Sequence, residues 1–498
     1  MIPLFHNGLD EAAARVPDKI AVFTDEASIT YAELAEQSKR VAAWLHGWGL
    51  QRGERVAVLL PNGIETIVTD MAVSRLGGIF VNIHWDTKSY NLDHILRDSA
   101  PTLILSTRER AAQERLERYA EVLTLEAHWD EALACVEPVP AFPGISHDPV
   151  CLIYTSGSTG RPKAVVCGQQ NMAFAAWAIQ QRIGMRESDV IGNVFPLSFD
   201  YGLYQVLLSF QVGATMALGS QEDAGPLLIK KLAAWGVTGL PVLPNLAHTL
   251  IRMGKRAVDG LPKLRFITNS GGHLPHSYIE DMQALFPGCE VFVMFGLTEC
   301  KRVSIMPPEE YKLKPEAVGR ALPNTECIII DEEGNRLPPG EKGELIVRGP
   351  HVMLGYWRAP ELTAKRYRMW GEGLERTLFT GDLCSMDEDG YLYFHGRFDD
   401  MFKQKGFRVS VLEVEEAAFT IAGVRQAALL PPTEKSGPIL FVGANLDADD
   451  VFDQLKERLE DYKLPAKVIV LDELPATPNG KTDKKGLQIA YAEELSVR

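Results

Sequence analysis

The chain has 498 residues, more than one hydrophobic core usually supports, so a large α/β body with at least one smaller domain is expected rather than a small binding module. Acidic residues outnumber basic ones by 66 to 51, giving a formal charge of −15; no broad cationic face for nucleic acid or anionic lipid is expected, and the substrate reads as small. No apolar run reaches membrane-spanning length, the first residues lack the basic start and apolar core of a signal peptide, and seven cysteines fall singly, from Cys135 and Cys151 to Cys327 and Cys384, so neither a membrane anchor, a disulfide framework nor a zinc site is suggested and the protein reads as cytoplasmic.

Through residues 1–390 short apolar runs alternate with amphipathic stretches. ERVAVLLP at 54–61 predicts a strand before a helical VTDMAVSRLG, and TLILST at 102–107 predicts a strand before an Ala-, Glu- and Arg-rich helix. That rhythm implies parallel sheets with crossover helices. Beyond about residue 320, CIIIDEEGNRLPPGEKGELIVRG and DEDGYLYFHGR predict short strands joined by Gly and Asp turns, a β-rich piece. The charged stretch GRFDDMFKQKG, starting at Gly396, then leads into about a hundred residues with their own strand–helix alternation, which puts the domain boundary near 397–401. The expected class is α/β: a large N-terminal domain of parallel-type sheets with crossover helices plus a β-rich subdomain, followed by a small α+β C-terminal domain.

The strongest chemical signal is the stretch Ile153-Tyr154-Thr155-Ser156-Gly157-Ser158-Thr159-Gly160-Arg161-Pro162-Lys163, which follows an apolar strand. Glycines let backbone N–H groups approach phosphate oxygens, hydroxyls add donors and Lys163 supplies charge, so the stretch reads as a triphosphate cradle. It is not a Walker A loop, because Pro162 precedes the lysine and Ala164 follows it. A plain Ser/Gly-rich surface loop is the alternative.

This stretch resembles the phosphate-loop signature of the ANL adenylate-forming enzymes, the acyl- and aryl-CoA synthetases, luciferases and adenylation enzymes of nonribosomal peptide synthesis, with Ala164 where that family usually has Gly. Six further stretches recur in the family's order: TYAEL at 30–34, Phe295-Gly296-Leu297-Thr298-Glu299, GELIVRG at 343–349, TGDL at 380–383, GRFDD at 396–400 and PNGK at 478–481. The resemblance covers nearly the whole chain. It implies ATP and Mg²⁺, with no tightly bound metal cofactor, and a two-step reaction through an acyl-adenylate.

Carried over by motif, the resemblance assigns Thr155, Ser156, Gly157, Ser158, Thr159, Gly160 and Lys163 to the phosphates, Thr298 to the α-phosphate and Glu299 to Mg²⁺, a hard cation suited to a carboxylate. Phe295, usually Tyr in the family, would stack on adenine, Asp382 would accept from the ribose hydroxyls, and Arg397 would contact ribose or phosphate. Without the family, Asp382 reads as a turn residue after Gly381. Lys481 would bridge the substrate carboxylate and the α-phosphate during adenylate formation. Asp399 would be the hinge between residues 1–398 and a mobile domain of 399–498, whose Gly406 region would border the pantetheine tunnel for the thiol step.

Asp200, in Phe195-Pro196-Leu197-Ser198-Phe199-Asp200-Tyr201-Gly202-Leu203-Tyr204, matches a position where amino-acid-activating relatives place an Asp against the substrate ammonium, and that reading is preferred to the alternative, a cap on the helix YGLYQVLLSF. Tyr201, Tyr204, Gly239, Ile267, Asn269, Met294, Arg302 and Val303 are the other pocket positions, and two tyrosines favour a small acid. The run Glu299-Cys300-Lys301-Arg302 adds positive charge nearby, either to orient a carboxylate or as a salt-bridged helix start. PLSFDYGLYQ and GLTECKRV are similar to stand-alone enzymes that load an amino acid, proline among them, onto a carrier protein. No fused carrier site is visible, so a separate holo-carrier protein is expected as thiol partner; SGGHLP at 270–275 is similar to the CoA-ligase style and keeps free CoA as the alternative. No nucleic-acid or membrane partner is expected.

Overall fold

The computed structural model describes residues 4–140, 145–156, 162–225, 227–254, 261, 263–272, 274–373, 375–404, 407–433, 436–477 and 481–491. Both strand–helix units expected near the N-terminus form: strand Arg55–Leu59 leads into helix Ile64–Arg75, and strand Leu103–Ser106 into the short helix Arg108–Glu114. They belong to a seven-stranded sheet in the spatial order Gly355–Tyr356, Pro162–Gly168, Pro149–Ser156, Ile79–Asn82, Arg55–Leu59, Leu103–Ser106, Glu121–Thr124. Five of these strands run parallel, and the central ones are apolar through most of their length because helices cover both faces. The TYAEL stretch starts a helix, Tyr31–Gly47, through a capping box between Thr30 and Glu33, and the Tyr31 hydroxyl donates to Ala214 O at 2.5 Å.

A second sheet has fourteen strands. Its parallel part runs Ile20–Phe23, Thr215–Leu218, Val190–Asn193, Gly239–Val242, Phe266–Asn269, Glu290–Phe295. From Ser304–Met306 onward every pairing is antiparallel, through Ala317–Ala321, Tyr391–Arg397, Arg376–Met386, Gly343–Arg348 and Glu326–Ile330. The β-rich piece beyond residue 320 therefore extends the large sheet. The free edge of Glu290–Phe295 presents unpaired backbone groups, and the hairpins satisfy them.

After Tyr391–Arg397 come a hairpin, Met401–Gln404 with Phe407–Ser410, the helix Val411–Phe419 and a three-stranded sheet, Gln426–Leu430, Ile439–Gly443 and Lys467–Leu471. These elements pack Val409, Val414, Leu429, Leu440, Val442, Val451 and Leu455 into a core of their own. Ser410 Oγ donates to His395 O at 2.8 Å, tying the hairpin back to the large sheet. All seven cysteines are free thiols, and among the described residues no helix is long and apolar enough to cross a membrane.

Candidate active site

The site gathers at the C-terminal ends of the parallel strands, where open α/β sheets leave a crevice. Pro149–Ser156 and Pro162–Gly168 pair antiparallel, with Thr155 opposite Lys163 and the Thr155 hydroxyl donating to Lys163 O at 3.4 Å. Gly157, Ser158, Thr159 and Gly160 lie outside the described residues, as does the side chain of Ser156. Lys163 Nζ stands 3.8 Å from Glu299 Oε1, donates to the Tyr356 hydroxyl at 3.3 Å and lies 4.4 Å from the centroid of the Tyr356 ring. The Tyr356 hydroxyl in turn donates to Glu299 Oε1 at 2.5 Å. Glu299 is fixed from behind, because Met353 N donates to its carbonyl at 2.9 Å, and half-buried Thr298 precedes it. Tyr356 was not singled out in the sequence; its signal is the aromatic pair Tyr356-Trp357 just after Gly355, in a two-residue strand that meets Val165.

Phe295 ends its strand with its ring 5.2 Å from Phe394. Asp382 is a mid-strand residue of Arg376–Met386 rather than part of a turn, and it faces Arg397 on the neighbouring strand, with an ion-pair distance of 3.3 Å. Burial pushes its carboxyl up to about 7, against the pull of Arg397 and Arg366. Asp399 lies in the single 3₁₀ turn Phe398–Asp400, and its side chain, like all of Gly406, is outside the described residues.

Asp200 is the first residue of helix Asp200–Val212, whose N-cap is Phe199, and no side chain caps that helix. The capping alternative is therefore not realised. A Cβ on Gly202 would come within 2.3 Å of Pro196 O, so the 195–199 loop lies hard against the helix's first turn. Asn62 clamps that loop: its Nδ2 donates to Phe195 O at 2.9 Å and its Oδ1 accepts from Leu197 N at 3.0 Å. Asp200, only 8% exposed, is then held 3.5 Å from Lys301 Nζ.

Lys301 and Arg302 are 3% and 1% exposed, two adjacent cations that both approach the Tyr201 ring. In extended chain neighbouring side chains point oppositely; Lys301 breaks that alternation with φ +60°. Its ammonium lies 4.4 Å from the Tyr204 ring centroid and 5.3 Å from that of Tyr201. Burial lowers its pKa to about 8, Asp200 opposes that shift and Arg302 adds to it. Arg302 Nη1 donates to Ser270 Oγ at 2.7 Å, and the Tyr201 hydroxyl donates to Thr268 O at 2.8 Å, with Thr268 Oγ1 at 2.7 Å.

Ile267 is buried in the apolar cluster that also holds Tyr201, Leu240, Val242 and Val291, and Asn269, likewise buried, has neither side-chain amide atom hydrogen-bonded among the described residues. Thr268 and Ser270, which the sequence did not single out, also reach Tyr201 and Arg302. Gly239 contributes no lining, because a Cβ there would come within 2.3 Å of Phe266 Cζ: that ring fills its space. Met294 shares the face of Thr268, through its neighbour Phe292, and Val303 is buried in the adjoining core.

Lys481 reaches this group from the C-terminal segment. A Cβ on Gly271, a residue at φ +75°, would sit 3.4 Å from Lys481 Cε and 2.6 Å from Leu243 Cδ2. The residue keeps exposed surface, yet burial of its ammonium end lowers its pKa, Asp200 opposes the shift and Arg397 reinforces it. Lys481 thus lies within the fields of the residue expected to hold the acid and the one expected to hold ribose or phosphate.

Residues 9–357 match the family described as AMP-binding enzyme, and 413–481 the AMP-binding enzyme C-terminal domain. The chain is 30% identical to Novobiocin biosynthesis protein H of Streptomyces niveus, over 95% of this chain and 80% of that protein. It is also 30% identical to Delta-poly-L-ornithine synthetase of Acinetobacter baumannii (strain AB307-0294), over 96% of this chain but only 36% of that relative's length. Among solved structures, VinN is 39% identical with a TM-score of 0.73, over 79% of this chain and 98% of VinN; a complex of VinN with L-aspartate is similar at 38%. ATP-bound MatB from Rhodopseudomonas palustris is 27% identical with a TM-score of 0.88, over 99% of this chain and 100% of MatB.

Proposed function

Because the chain belongs to the AMP-binding enzyme family and is an AMP-forming acid–thiol ligase, we propose that its acid is a small amino acid with a second carboxylate, aspartate-like in size and charge. The supporting observation is the buried group of Asp200, Lys301 and Arg302. Two cations share one internal counter-charge there, and a buried charge without a partner is costly. A ligand that brings an ammonium to Asp200 and a carboxylate to Lys301 and Arg302 satisfies all three. Proline brings the ammonium but nothing for Arg302, so the pocket favours the dicarboxylic amino acid over it. Tyr201 and Tyr204 keep the cavity small. The aspartate complex of VinN agrees with this reading.

In the reaction, the hydroxyl- and glycine-rich stretch with Lys163 would cradle the triphosphate, Thr298 would bond the α-phosphate, and Phe295, Asp382 and Arg397 would hold adenosine. Mg²⁺, when bound, neutralises phosphate charge, and Glu299 is the side chain that would hold it, a hard oxygen donor beside Lys163. Lys481 would draw the substrate carboxylate and α-phosphate together; a carboxylate oxygen bonds to phosphorus as the bond to the β-phosphate bridging oxygen breaks and pyrophosphate leaves. Residues 399–498 would then turn about Asp399, and a thiolate would attack the adenylate carbonyl, expelling AMP. The thiol we assign to the phosphopantetheine of a separate holo-carrier protein. Free CoA is the second reading, favoured by the likeness to O-succinylbenzoate Coenzyme A Synthetase from Bacillus subtilis, 27% identical with a TM-score of 0.82.

Pyrophosphate release with hydroxylamine capture, run on L-aspartate, L-asparagine, succinate and L-proline, tests the acid. Aspartate should lead. Asparagine performing equally would remove the role of Lys301 and Arg302, and succinate performing equally would remove that of Asp200. Presenting holo-carrier proteins and CoA to the adenylate separates the two thiols.

A further inference from the structure

The contacts that bring Lys481 to the pocket are made far from the chemistry. Helix His276–Leu285 and helix Pro244–Gly254 meet the segment around Arg425 and Gln426, which starts the three-stranded sheet. The Tyr278 hydroxyl donates to Arg425 O across this junction. His248 Nδ1 lies 3.1 Å from the same hydroxyl, with the two rings stacked at 28°; since that hydroxyl spends its proton on Arg425, the imidazole N–H is the donor. His248 and Tyr278 are both buried. Beside them Gln426 Nε2 reaches Asn245 Oδ1 at 3.4 Å, while Gln426 Oε1 accepts from Leu474 N at 2.7 Å.

Leu474 opens the segment that carries the lysine. Asp483 N donates to Pro475 O at 2.7 Å, Ala476 pairs with Thr482, and Thr477 N donates to Lys481 O at 2.6 Å. Lys481 therefore belongs to a pair of antiparallel contacts whose base is pinned, through Gln426 and Arg425, to two helices of the large domain. An exposed pair, Arg252 and Glu473 at 3.4 Å, lies at the same junction and adds little in water.

We propose that Tyr278, backed by His248, is a positioning residue for adenylate formation: its hydroxyl fastens the C-terminal segment, through Arg425 O, in the orientation that delivers Lys481 to the acid. This rests on the domain turn proposed above. The bond is made in the orientation seen here, so, given that domain turn, it favours the first half-reaction and must break before the second. One buried hydrogen bond shifts such an equilibrium by about three- to tenfold.

Tyr278→Phe removes the hydroxyl and keeps the ring. In the full-length chain, acid-dependent ATP–pyrophosphate exchange should fall three- to tenfold in kcat with KM for ATP and acid unchanged, while thiol acylation from supplied aminoacyl-adenylate stays level or rises. Gln426→Leu should act in the same direction. Equal losses in both half-reactions, or an unchanged exchange rate, would overturn the proposal. A substrate-free readout keeps it separate from the choice of acid: spin labels at exposed Leu313 and Ile489 should give one narrow distance in the parent chain and a broadened distribution in Tyr278→Phe. If no amino acid supports exchange, the reading of the acid fails and the spin-label distances alone decide, an unchanged distribution refuting the latch.

Discussion

Replacing Lys301 with Met deletes one buried charge while keeping most of the apolar stem that lies against Tyr201 and Tyr204. The parent pocket has an excess of one positive charge over Asp200; the variant has none, so it should prefer an acid whose side chain is neutral. At the 3.5 Å separation seen between Lys301 and Asp200, a unit charge pair is worth about 5 kcal/mol at an effective dielectric of about 20. A substrate carboxylate shares its stabilisation between Lys301 and Arg302 and must be desolvated, so about half of that, ~2.4 kcal/mol, should be lost for aspartate. The ratio of kcat/KM for L-aspartate to that for L-asparagine, measured by pyrophosphate release, should therefore drop about sixtyfold. Asp200 loses its nearest cation, which destabilises the fold, and Asp200→Asn in the same chain should recover the melting temperature and, by restoring the uncompensated charge of Arg302, raise the ratio again while lowering kcat/KM for both amino acids. An unchanged ratio in Lys301→Met would refute the charge argument.

Lys481→Ala should lower adenylate formation at least a hundredfold in pyrophosphate exchange, with ATP affinity by calorimetry within about twofold. Gly271→Ala puts a side chain at φ +75° against Leu243 and beneath Lys481; exchange should fall about tenfold or more in kcat while the acid's KM moves little. Above pH 8 free Lys301 loses its proton, so KM for aspartate should be flat below about 8 and rise toward pH 10, an effect absent in Lys301→Met. His351, buried beside Phe174 with neither ring nitrogen hydrogen-bonded among the described residues, has a pKa lowered by burial to about 4 from an ordinary 6.5. Between those values the unfolded chain binds more protons, so stability is full above 6.5 and falls by about 3 kcal/mol as pH drops to 4; denaturant titrations of His351→Leu should show that slope flattened.

Much of this architecture is legible in the chain because local chemistry decides it. ERVAVLLP and TLILST become buried parallel strands since nothing polar interrupts them, and Thr30 with Glu33 caps its helix by hydrogen bonds three residues apart. That the antiparallel strands beyond residue 320 would extend the large sheet was not legible, because a strand's pattern records which faces are buried and not which edge it pairs with. The pocket shows the same limit. Thr268 and Ser270, which reach Tyr201 and Arg302, were not singled out beside Ile267 and Asn269, because a strand's pattern does not record which side chains of another element it will meet.

Lys301 is the most instructive case. Read along the chain, Glu299-Cys300-Lys301-Arg302 is a charged run that could orient a carboxylate or start a salt-bridged helix, and in extended chain alternation turns two neighbours to opposite sides. The left-handed backbone at Lys301 lifts that constraint, and lysine is not a residue in which sequence alone announces φ +60°. A strained residue held between a carboxylate and two aromatic rings is one the surrounding structure over-determines, which is how binding sites retain conformations that cost about 1–3 kcal/mol. The consequence bears on what Asp200 is for. Taken from the sequence it is a lone counter-charge awaiting an ammonium; in the structure it already has one. On the proposed function, an incoming amino group would share Asp200 with Lys301, and only an acid that offers Lys301 a carboxylate in return would leave no cation worse paired than before. Discrimination would then arise from charge that a wrong substrate strands, a larger effect than the fit of one methylene more or less.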